Sequence, residues 1–300
     1  MLTRIMNLNK WFYLISLSLI WGSSFILIKK ALVGLEADQL GSLRIIFSSI
    51  IIILIAWKRL SKITRLEWKW ITISAFLGSF FPAFLFAFAE KEIDSAVASI
   101  INSIVPLNTV VIGMVLFNIR STKRQIIGVL IGLAGTYMLI MSGIKLNPDQ
   151  NYLYSGFVIL CSFLYALNVN IIKKYLQHLS ALTITVGHFA VIIIPALIVF
   201  YFSDFDVNSL KNQETIDSII YVLILAVFGT ALAKILFNKL IKISSPVFAS
   251  SVTYSMLIVS IFWGLVDGEK FSINQLIATI IIILGVLLTN KKSSPKNLNP

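Results

Sequence analysis

Residues 95–117 read SAVASIINSIVPLNTVVIGMVLF, a stretch long and apolar enough to cross a bilayer as one helix. Ser99, Asn102, Ser103 and Pro106 nevertheless lie in its middle, where bare hydrocarbon makes polar side chains and a helix breaker costly. Their i, i+3, i+4, i+7 spacing places all four on one helix face, and Pro106 would free the carbonyl of Asn102. We predict that this face points into a cavity, with an interhelical hydrogen bond as the alternative role of Asn102.

The composition of the chain is that of an integral membrane protein. Of its 300 residues, 58% are hydrophobic and 13% are charged, and the mean hydropathy is +0.91. Soluble domains carry about 25% charged residues. Apolar segments recur that are each long enough to cross a hydrocarbon core of roughly 30 Å. We predict an all-α membrane protein with ten transmembrane helices, at residues 11–31, 39–57, 68–88, 95–117, 124–142, 153–172, 181–202, 217–238, 245–266 and 272–290.

The sequence offers no catalytic or metal-binding arrangement. Connections between the predicted spans are short, and the longest, residues 203–217, leaves no room for a soluble domain. Cys161 is the only cysteine, and the two histidines lack metal-ligand spacing. GxSxG, HExxH and CxxC arrangements are absent from the sequence. We therefore expect neither an enzyme nor a cofactor. A membrane-embedded enzyme or a non-transporting membrane subunit is kept as the alternative to the function that the resemblance below implies.

The net charge of +12 is distributed as a topology signal. If both termini lie on one side of the membrane, that side carries 17 of the 25 lysines and arginines. An excess of Lys and Arg in short loops marks the cytoplasmic face, so both termini should be cytoplasmic. The charge is spread over six short segments, whereas a nucleic-acid site would concentrate it on one surface. We therefore expect no nucleic-acid partner.

The chain contains an internal repeat. The predicted fourth and fifth spans align with the ninth and tenth at an offset of 150, the third aligns with the eighth at 151, and the first aligns with the sixth at 144. Five spans per half place the halves in opposite orientations, which is a recurring plan of secondary transporters. We predict two inverted five-helix repeats, residues 1–145 and residues 146–300.

These features resemble those of the EamA-type branch of the drug/metabolite transporter superfamily. The resemblance covers nearly the whole chain and rests on the sequences at residues 20–32, 95–117 and 244–272, on Arg44, and on the glycines at 128, 132 and 135. It implies a ten-helix carrier of the bacterial inner membrane that transports metabolites such as amino acids. It also implies a cavity lined by helices 1, 3, 4, 6, 8 and 9.

Two departures from the family pattern concern the helix ends. Members usually finish both the fourth and the ninth helix with a small residue and Glu, but here only the second copy has them, at Gly268 and Glu269. Met256 replaces the proline that would mirror Pro106. We expect these changes to affect helix-end packing and to leave the fold intact.

Two aromatic-plus-polar pairs mark the expected cavity. Trp21 and Ser24 on the first span align with Tyr165 and Asn168 on the sixth, three residues apart in each pair. Trp21 and Tyr165 lie about ten residues inside their spans, too deep for an interfacial aromatic belt. Phe84 belongs to an aromatic ridge that could equally be helix packing. The predicted substrate-binding residues are Trp21, Ser24, Phe84, Asn102, Pro106, Tyr165, Asn168, Lys234 and Tyr254.

Two cations lie within the spans. Lys234 shares a helix face with Thr230 and Asn238, and either snorkels to the interface or binds a substrate carboxylate. We interpret Arg44 as structural, snorkelling outward or bonding carbonyls. Gly128 and Gly132 form a GxxxG pair, which indicates close helix packing or a dimer surface, so monomer and homodimer remain open.

No Asp or Glu lies in the interior of a predicted span, whereas proton-coupled carriers commonly use a buried carboxylate. We therefore hypothesise alternating-access transport without a buried carboxylate for coupling, with Glu90 or Lys234 as the alternatives. The expected substrate is a small amphiphilic molecule, an amino acid or a derivative, with export as the expected direction. The predicted partners are this small-molecule substrate and the lipid bilayer.

Overall fold

The computed structural model describes residues 2–117 and 122–290, and all regular structure in these ranges is helical. Nine described segments are long and apolar enough to cross a membrane. A further apolar helix follows near the C-terminus, at Ile273–Leu288. The α-helices are α1 Leu2–Ala31, α2 Ala37–Ala56, α3 Arg65–Ala75, α4 Phe81–Glu90, α5 Ser95–Asn102, α6 Val105–Phe117, α7 Lys123–Leu146, α8 Ser155–Tyr175, α9 Ala181–Tyr201, α10 Gln213–Ile224, α11 Ala233–Ile243, α12 Pro246–Ser250, α13 Val252–Val266 and α14 Ile273–Asn290.

Polar caps set where several of these helices begin. The Thr64 hydroxyl accepts from the Glu67 amide, while the Glu67 carboxylate accepts from the Thr64 amide at 2.6 Å, which is a capping box. Ser180 and Ser245 cap α9 and α12 by accepting from the backbone amide three residues on. Gly268 has a φ of +84°, a conformation that L side chains rarely adopt, and makes the turn between α13 and α14. These devices keep the connections between helices short.

The stretch at residues 95–117 is not one continuous helix. The helix α5 ends at Asn102, and α6 begins at Val105. Pro106 therefore lies in the first turn of α6, where its missing N–H is no loss, and it does not kink a continuous helix as the sequence suggested. The second half has a matching break, because α12 ends at Ser250 and α13 begins at Val252.

Two further segments widen into π-helix. Phe76–Phe80 joins α3 to α4, and Leu225–Leu232 joins α10 to α11. Gly78 and Gly229, which the repeat aligns at an offset of 151, lie within these two segments. A π segment shifts the hydrogen-bond pattern of the helix and is frequent at functional sites. The two halves thus carry the same irregularity at the same place.

The helices α7 and α14 pack against each other through glycine. A Cβ atom on Gly285 would lie 2.6 Å from the Gly132 nitrogen and 2.7 Å from the Gly128 oxygen. A Cβ on Gly135 would lie 2.8 Å from Ile282 Cγ1. The GxxxG pair is therefore used within the chain, where small residues let two membrane helices approach closely.

We predict that Gly285→Ala destabilises the protein, because the added methyl group meets backbone atoms that cannot move aside. The expected loss is about 1–3 kcal/mol, the usual cost of overpacking. Gly156→Ala is the matched control, since nothing lies within 4 Å of a Cβ at that position of α8. Thermal unfolding in detergent, followed by circular dichroism, compares the two variants. Equal unfolding temperatures would contradict the described contact between α7 and α14.

Candidate functional site

A cavity of about 90 Å³ lies inside the bundle. Helices α1, α4, α8, α11 and α13 contribute to its wall, together with both π segments and both helix breaks. This is the set of spans that the family resemblance implied, with Arg44 and Ile45 of α2 and Phe189 of α9 in addition. Five predicted site residues line the cavity: Trp21, Ser24, Asn102, Tyr165 and Lys234.

Aromatic and apolar side chains form most of the wall. Trp21 packs edge-on against Phe237 with 4.9 Å between ring centroids. Phe86 contacts Phe25 edge-on at 5.7 Å and stacks on Tyr165 at 6.2 Å. Rings in such contacts hold one another in place, so the wall presents a fixed apolar surface. It suits the hydrocarbon part of a small solute.

Two polar side chains of the wall have unpaired atoms. Asn102 is 4% exposed, and its Oδ1 accepts no hydrogen bond from any residue in the described ranges; the same holds for Ser79 Oγ. Other wall hydroxyls are already engaged, since Ser24 Oγ donates to the Ile20 carbonyl at 2.9 Å and Ser250 Oγ donates to the Val247 carbonyl at 3.0 Å. An unpaired buried polar group is costly, so a hydrogen bond from a ligand or from water would stabilise each of these two atoms.

The two cations within the spans both face the cavity. Arg44 Nε donates to Thr230 Oγ1 at 2.7 Å. Lys234 is 8% exposed, donates from Nζ to the Gly78 carbonyl, and lies 5.7 Å from the centre of the Tyr165 ring. Both side chains point into the protein, so of the alternatives that the sequence left open for Arg44 and Lys234, snorkelling does not describe this structure. The packing of α2 and α11 against the π segments turns both side chains inward.

The two π segments present their glycines to side chains from the other half. Trp21 Nε1 donates to the Gly229 carbonyl at 2.9 Å, and Lys234 donates to the Gly78 carbonyl. A Cβ on Gly229 would lie 2.6 Å from Ser24 Oγ, and one on Gly78 would lie 2.5 Å from Asn168 Cγ. Ser24 and Asn168, which the repeat aligns, thus occupy equivalent places. These paired contacts join the two halves at the cavity.

Two of the predicted residues pack behind the wall. Asn168 accepts from Ser74 Oγ at 2.5 Å and fills the space beside Gly78. Phe84 packs against Gly41, where a Cβ would lie 2.5 Å from the phenyl ring. Both residues support elements of the wall without lining it, because neighbouring helices cover their faces.

Pro106 and Tyr254 also lie outside the lining. Pro106 is buried in the first turn of α6, past the helix break that brings Asn102 and Val105 to the cavity. Tyr254 packs, partly buried, against the core, and its neighbours Thr253 and Met256 line the cavity instead. The breaks before α6 and before α13 rotate the side chains that follow them, so these side chains face other neighbours than they would in one continuous helix.

The sequence interpretation missed several residues of the wall. Ser79 carried no signal, because nothing in the sequence marks a π segment. Thr230 was noted on the Lys234 face, which was a usable signal for the contact that it makes with Arg44. Phe25, Phe86 and Phe237 read as ordinary apolar residues of their spans.

An ion-pair cluster closes one end of the bundle, which we call the far end because α1 finishes there. Lys29 Nζ lies 2.9 Å from both Asp267 and Glu269, and Lys30 also pairs with Asp267. Partial burial acts to raise the pKa of the Asp267 carboxyl, but hydrogen bonds from Lys30 and Lys29 outweigh it and hold the pKa below its ordinary value. Asp267 is therefore ionised at neutral pH.

Glu269 ties the start of α5 to this cluster. It accepts from the Ser95 amide at 3.0 Å, from Ser95 Oγ at 2.7 Å and from the Ala96 amide at 3.0 Å, and its side chain is 3% exposed. A carboxylate at a helix N-terminus is stabilised by the free amides and by the helix dipole. The far end thus joins α1, α5 and the turn after α13.

The opposite end, the near end, is held differently. Lys173 on α8 aligns with Lys29 in the repeat, but it donates to the carbonyls of Ile241, in the last turn of α11, and of Ser244, just after that helix, at 3.2 and 2.8 Å. Within residues 2–117 and 122–290, Lys173 has no acidic partner. The position that aligns with Glu269 is 119, an isoleucine, and the departure noted there lies outside the described residues.

The structure corrects one prediction about carboxylates. Glu90 is the last residue of α4, inside a membrane-spanning segment, and is 5% exposed. Neither of its carboxyl oxygens has a hydrogen-bond partner among the described residues. The predicted span ended at residue 88, so the sequence placed Glu90 at the outer end of the third span and outside its interior. The helix continues and α2, α5 and α8 pack against it, so the protein does contain a buried carboxyl group.

The chain matches a known protein family over most of its length. The model of the EamA-like transporter family matches twice, at residues 9–141 and 153–291. The chain belongs to the EamA-like transporter family. The two matches confirm a repeated membrane fold, and the predicted resemblance was correct.

Three relatives match over most of their length and most of this chain. It is 24% identical over 283 residues to the "Uncharacterized inner membrane transporter YedA" of Escherichia coli strain K12, covering 92% of this chain and 88% of that protein. The same figures hold for the proteins of that name in strains O6:H1 and O157:H7. A solved structure titled only as the crystal structure of a protein superposes with a TM-score of 0.65 at 16% identity, covering 96% of both chains. That structure supports the fold alone.

We predict that Trp21→Phe destabilises the protein by about 1–3 kcal/mol, since the Gly229 carbonyl would lose its donor while the ring stays apolar. Trp263→Phe is the matched control, because its indole nitrogen bonds Ser23 Oγ at the exposed surface. Thermal unfolding in detergent compares the variants. If both substitutions had the same effect, the contact between Trp21 and Gly229 would carry no stability.

Proposed function

We propose that the protein is a secondary transporter that moves a small amphiphilic metabolite, an amino acid or a derivative, through the cavity by alternating access. One observation carries the proposal: Asn102, whose amide oxygen has no hydrogen-bond partner among the described residues, lines a cavity within membrane-spanning segments. An unpaired buried amide is costly there, and a hydrogen bond from water or solute in the cavity would offset that cost. The aromatic wall around it supplies contacts for the apolar part of the substrate.

We further propose ten transmembrane helices in two inverted repeats, with α14 as the tenth. The near-constant offset, the two π segments and the exchange of contacts at Gly78 and Gly229 support this arrangement. The paired helices α7 and α14 support it too, since they contact each other through aligned glycines. Inverted repeats provide two similar gates, one at each end of a shared site.

The two ends of the bundle support alternating access. The far end is joined by ion pairs of Lys29 with Asp267 and Glu269, and the near end is joined by hydrogen bonds of Lys173 with backbone carbonyls. The ion pairs of the far end and the hydrogen bonds of the near end each connect elements that contribute to the cavity wall. Breaking one set while the other holds would open the cavity to one side at a time.

We propose facilitated transport, since no Asp or Glu lines the cavity in the part of the chain that the structure describes. Glu90 lies outside the lining and is the group through which proton coupling would enter if transport proves uphill.

We place the protein in the bacterial inner membrane with both termini cytoplasmic and export as the direction. The relatives are named inner membrane transporters, and the lysines and arginines are concentrated on the side of the termini.

A labelling experiment tests the inverted arrangement. Lys62 and Asp206 are exposed residues at aligned positions in the second and seventh connections. In the inverted arrangement they lie on opposite sides, and the native Cys161 is buried and should stay unlabelled. In intact spheroplasts a membrane-impermeant maleimide should label Asp206→Cys and should label Lys62→Cys only after permeabilisation. Labelling of both variants from the same side would rule out the inverted repeat.

A transport screen tests the function. Purified protein in proteoliposomes should carry out uptake and efflux of at least one amino acid or related metabolite. Asn102→Ala and Tyr165→Phe should lower its kcat/KM, by about tenfold for Asn102→Ala, the equivalent of one lost hydrogen bond. Tyr137→Phe, on an exposed tyrosine of α7, should leave transport unchanged. If Asn102→Ala and Tyr165→Phe leave the kinetics of every transported compound unchanged, the cavity is not the transport site.

A further inference from the structure

The described charged side chains of the cavity wall are all positive. Arg44 and Lys234 line it, and within residues 2–117 and 122–290 no carboxylate does. A cation inside a membrane protein is costly unless an anion or several hydrogen-bond acceptors compensate it. Two such cations facing one cavity of about 90 Å³ raise the question of what balances them.

The protein supplies only part of the compensation. Among the described residues, the guanidinium of Arg44 makes one side-chain hydrogen bond, from Nε to Thr230, although a guanidinium carries five N–H donors. The ammonium of Lys234 has three donors, and Gly78 accepts from one of them. The Tyr165 ring offers its π face to this ammonium but does not carry a charge. Donors of both cations therefore remain for a ligand.

Glu90 does not balance the charge of Arg44 and Lys234. It is close enough to Arg44 for an electrostatic interaction, but it forms no ion pair with Arg44 or Lys234 and does not line the cavity. Its two oxygens accept no hydrogen bond from the described part of the chain. Asp267 and Glu269, in turn, are paired with lysines at the far end of the bundle.

The remainder of the wall limits what else the ligand carries. Trp21, Phe25, Phe86 and Met256 offer apolar contact. Besides the two cations, the described lining has unpaired buried atoms at Asn102 and Ser79, and a sugar or a polyol would place several of its hydroxyl groups against the apolar wall. An ammonium group finds no carboxylate in the lining, so an amine without an acid group lacks a counter-charge.

We propose that the cavity selects small organic carboxylates, held between the Arg44 guanidinium and the Lys234 ammonium, with the hydrocarbon part against the aromatic wall. Planar carboxylates match the fork of an arginine side chain, and the dry surroundings strengthen the charged hydrogen bonds. The carboxylate is the group that is recognised, and an amino group on the ligand is tolerated but not required. The inference rests on the proposed transport function and narrows its substrate class.

Three matched sets of compounds test the proposal on the unmodified protein. Each set contains an amino acid, the acid that lacks its amine and the amine that lacks its acid: alanine, propionate and ethylamine; valine, isovalerate and isobutylamine; phenylalanine, hydrocinnamate and phenethylamine. The shift of the thermal unfolding midpoint in detergent at pH 7 reports binding, because a ligand of the folded state raises it. Sodium chloride at matched ionic strength controls for salt.

We expect the acid and the amino acid of at least one set to raise the midpoint and the amine of that set to leave it unchanged. Lys234→Met and Arg44→Gln should each weaken binding of that acid by about tenfold or more, as for the loss of a charged hydrogen bond. Lys239→Met is the matched control, since Lys239 is an exposed lysine on the same helix, α11.

The outcomes separate this inference from the proposed function. Amines that bind as well as or better than the acids would overturn carboxylate selection while leaving a solute-binding cavity in place. Binding of acids that survives unchanged in folded Lys234→Met and Arg44→Gln would overturn the assignment of these two residues. If no compound shifts the midpoint and proteoliposomes transport none of them, the inference and the proposed function both fail.

Discussion

The structure depends on hydrogen-bond donors for backbone carbonyls that are buried in the membrane, away from bulk water. At Gly78 and Gly229 the helix widens into π geometry, and each carbonyl is met by a side chain from the other half of the chain. In hydrocarbon an unpaired carbonyl would cost several kcal/mol, so irregular helix is tolerated only where protein or a cavity supplies a partner. Lys234 and Trp21 are those partners, and the same two residues line the cavity. Stability and the candidate site therefore share their residues.

Charge is separated along the molecule in a way that follows from the same constraint. Among the residues that the structure describes, the cavity lining has two cations and no acid, whereas Asp267 and Glu269 of the far end are bound to lysines and Glu269 also to the start of α5. Because the acids are neutralised where they lie, they do not compensate the cations of the cavity. The apolar wall between the two regions keeps the dielectric low, so the charges of Arg44 and Lys234 are weakly screened and act strongly on a charged solute in the cavity.

The sequence predicted the architecture better than the site. Apolar length predicted the spans, and constant offsets predicted a repeat that the double family match confirms. Helical spacing placed Trp21 with Ser24 on one face of α1 and gave Asn102 an inward face, and all three line the cavity, because a face of a regular helix can be read from periodicity. Periodicity does not say which neighbour covers a face, so Phe84 and Asn168 were assigned to the cavity although they pack behind its wall.

The remaining misses have local causes. The break between α5 and α6 moves Pro106 out of register with Asn102. Nothing in the sequence of Phe76–Phe80 predicts the π segment that brings Ser79 to the cavity. The inward turn of Arg44 depends on Thr230, which lies 186 residues away, and the burial of Glu90 depends on the helices packed around it. Long-range contacts of this kind are not encoded in the spacing of one segment.

Lys29 and Lys173 occupy matching places in the two halves, yet one binds carboxylates and the other binds carbonyl dipoles. Two closures built from different interactions differ in free energy, so in the proposed cycle the empty carrier would favour one orientation over the other. Such a bias leaves the final distribution of a passively carried solute unaltered. It does make the half-saturating concentration differ between the two faces of the membrane, so the carrier is kinetically asymmetric although its fold is nearly symmetric.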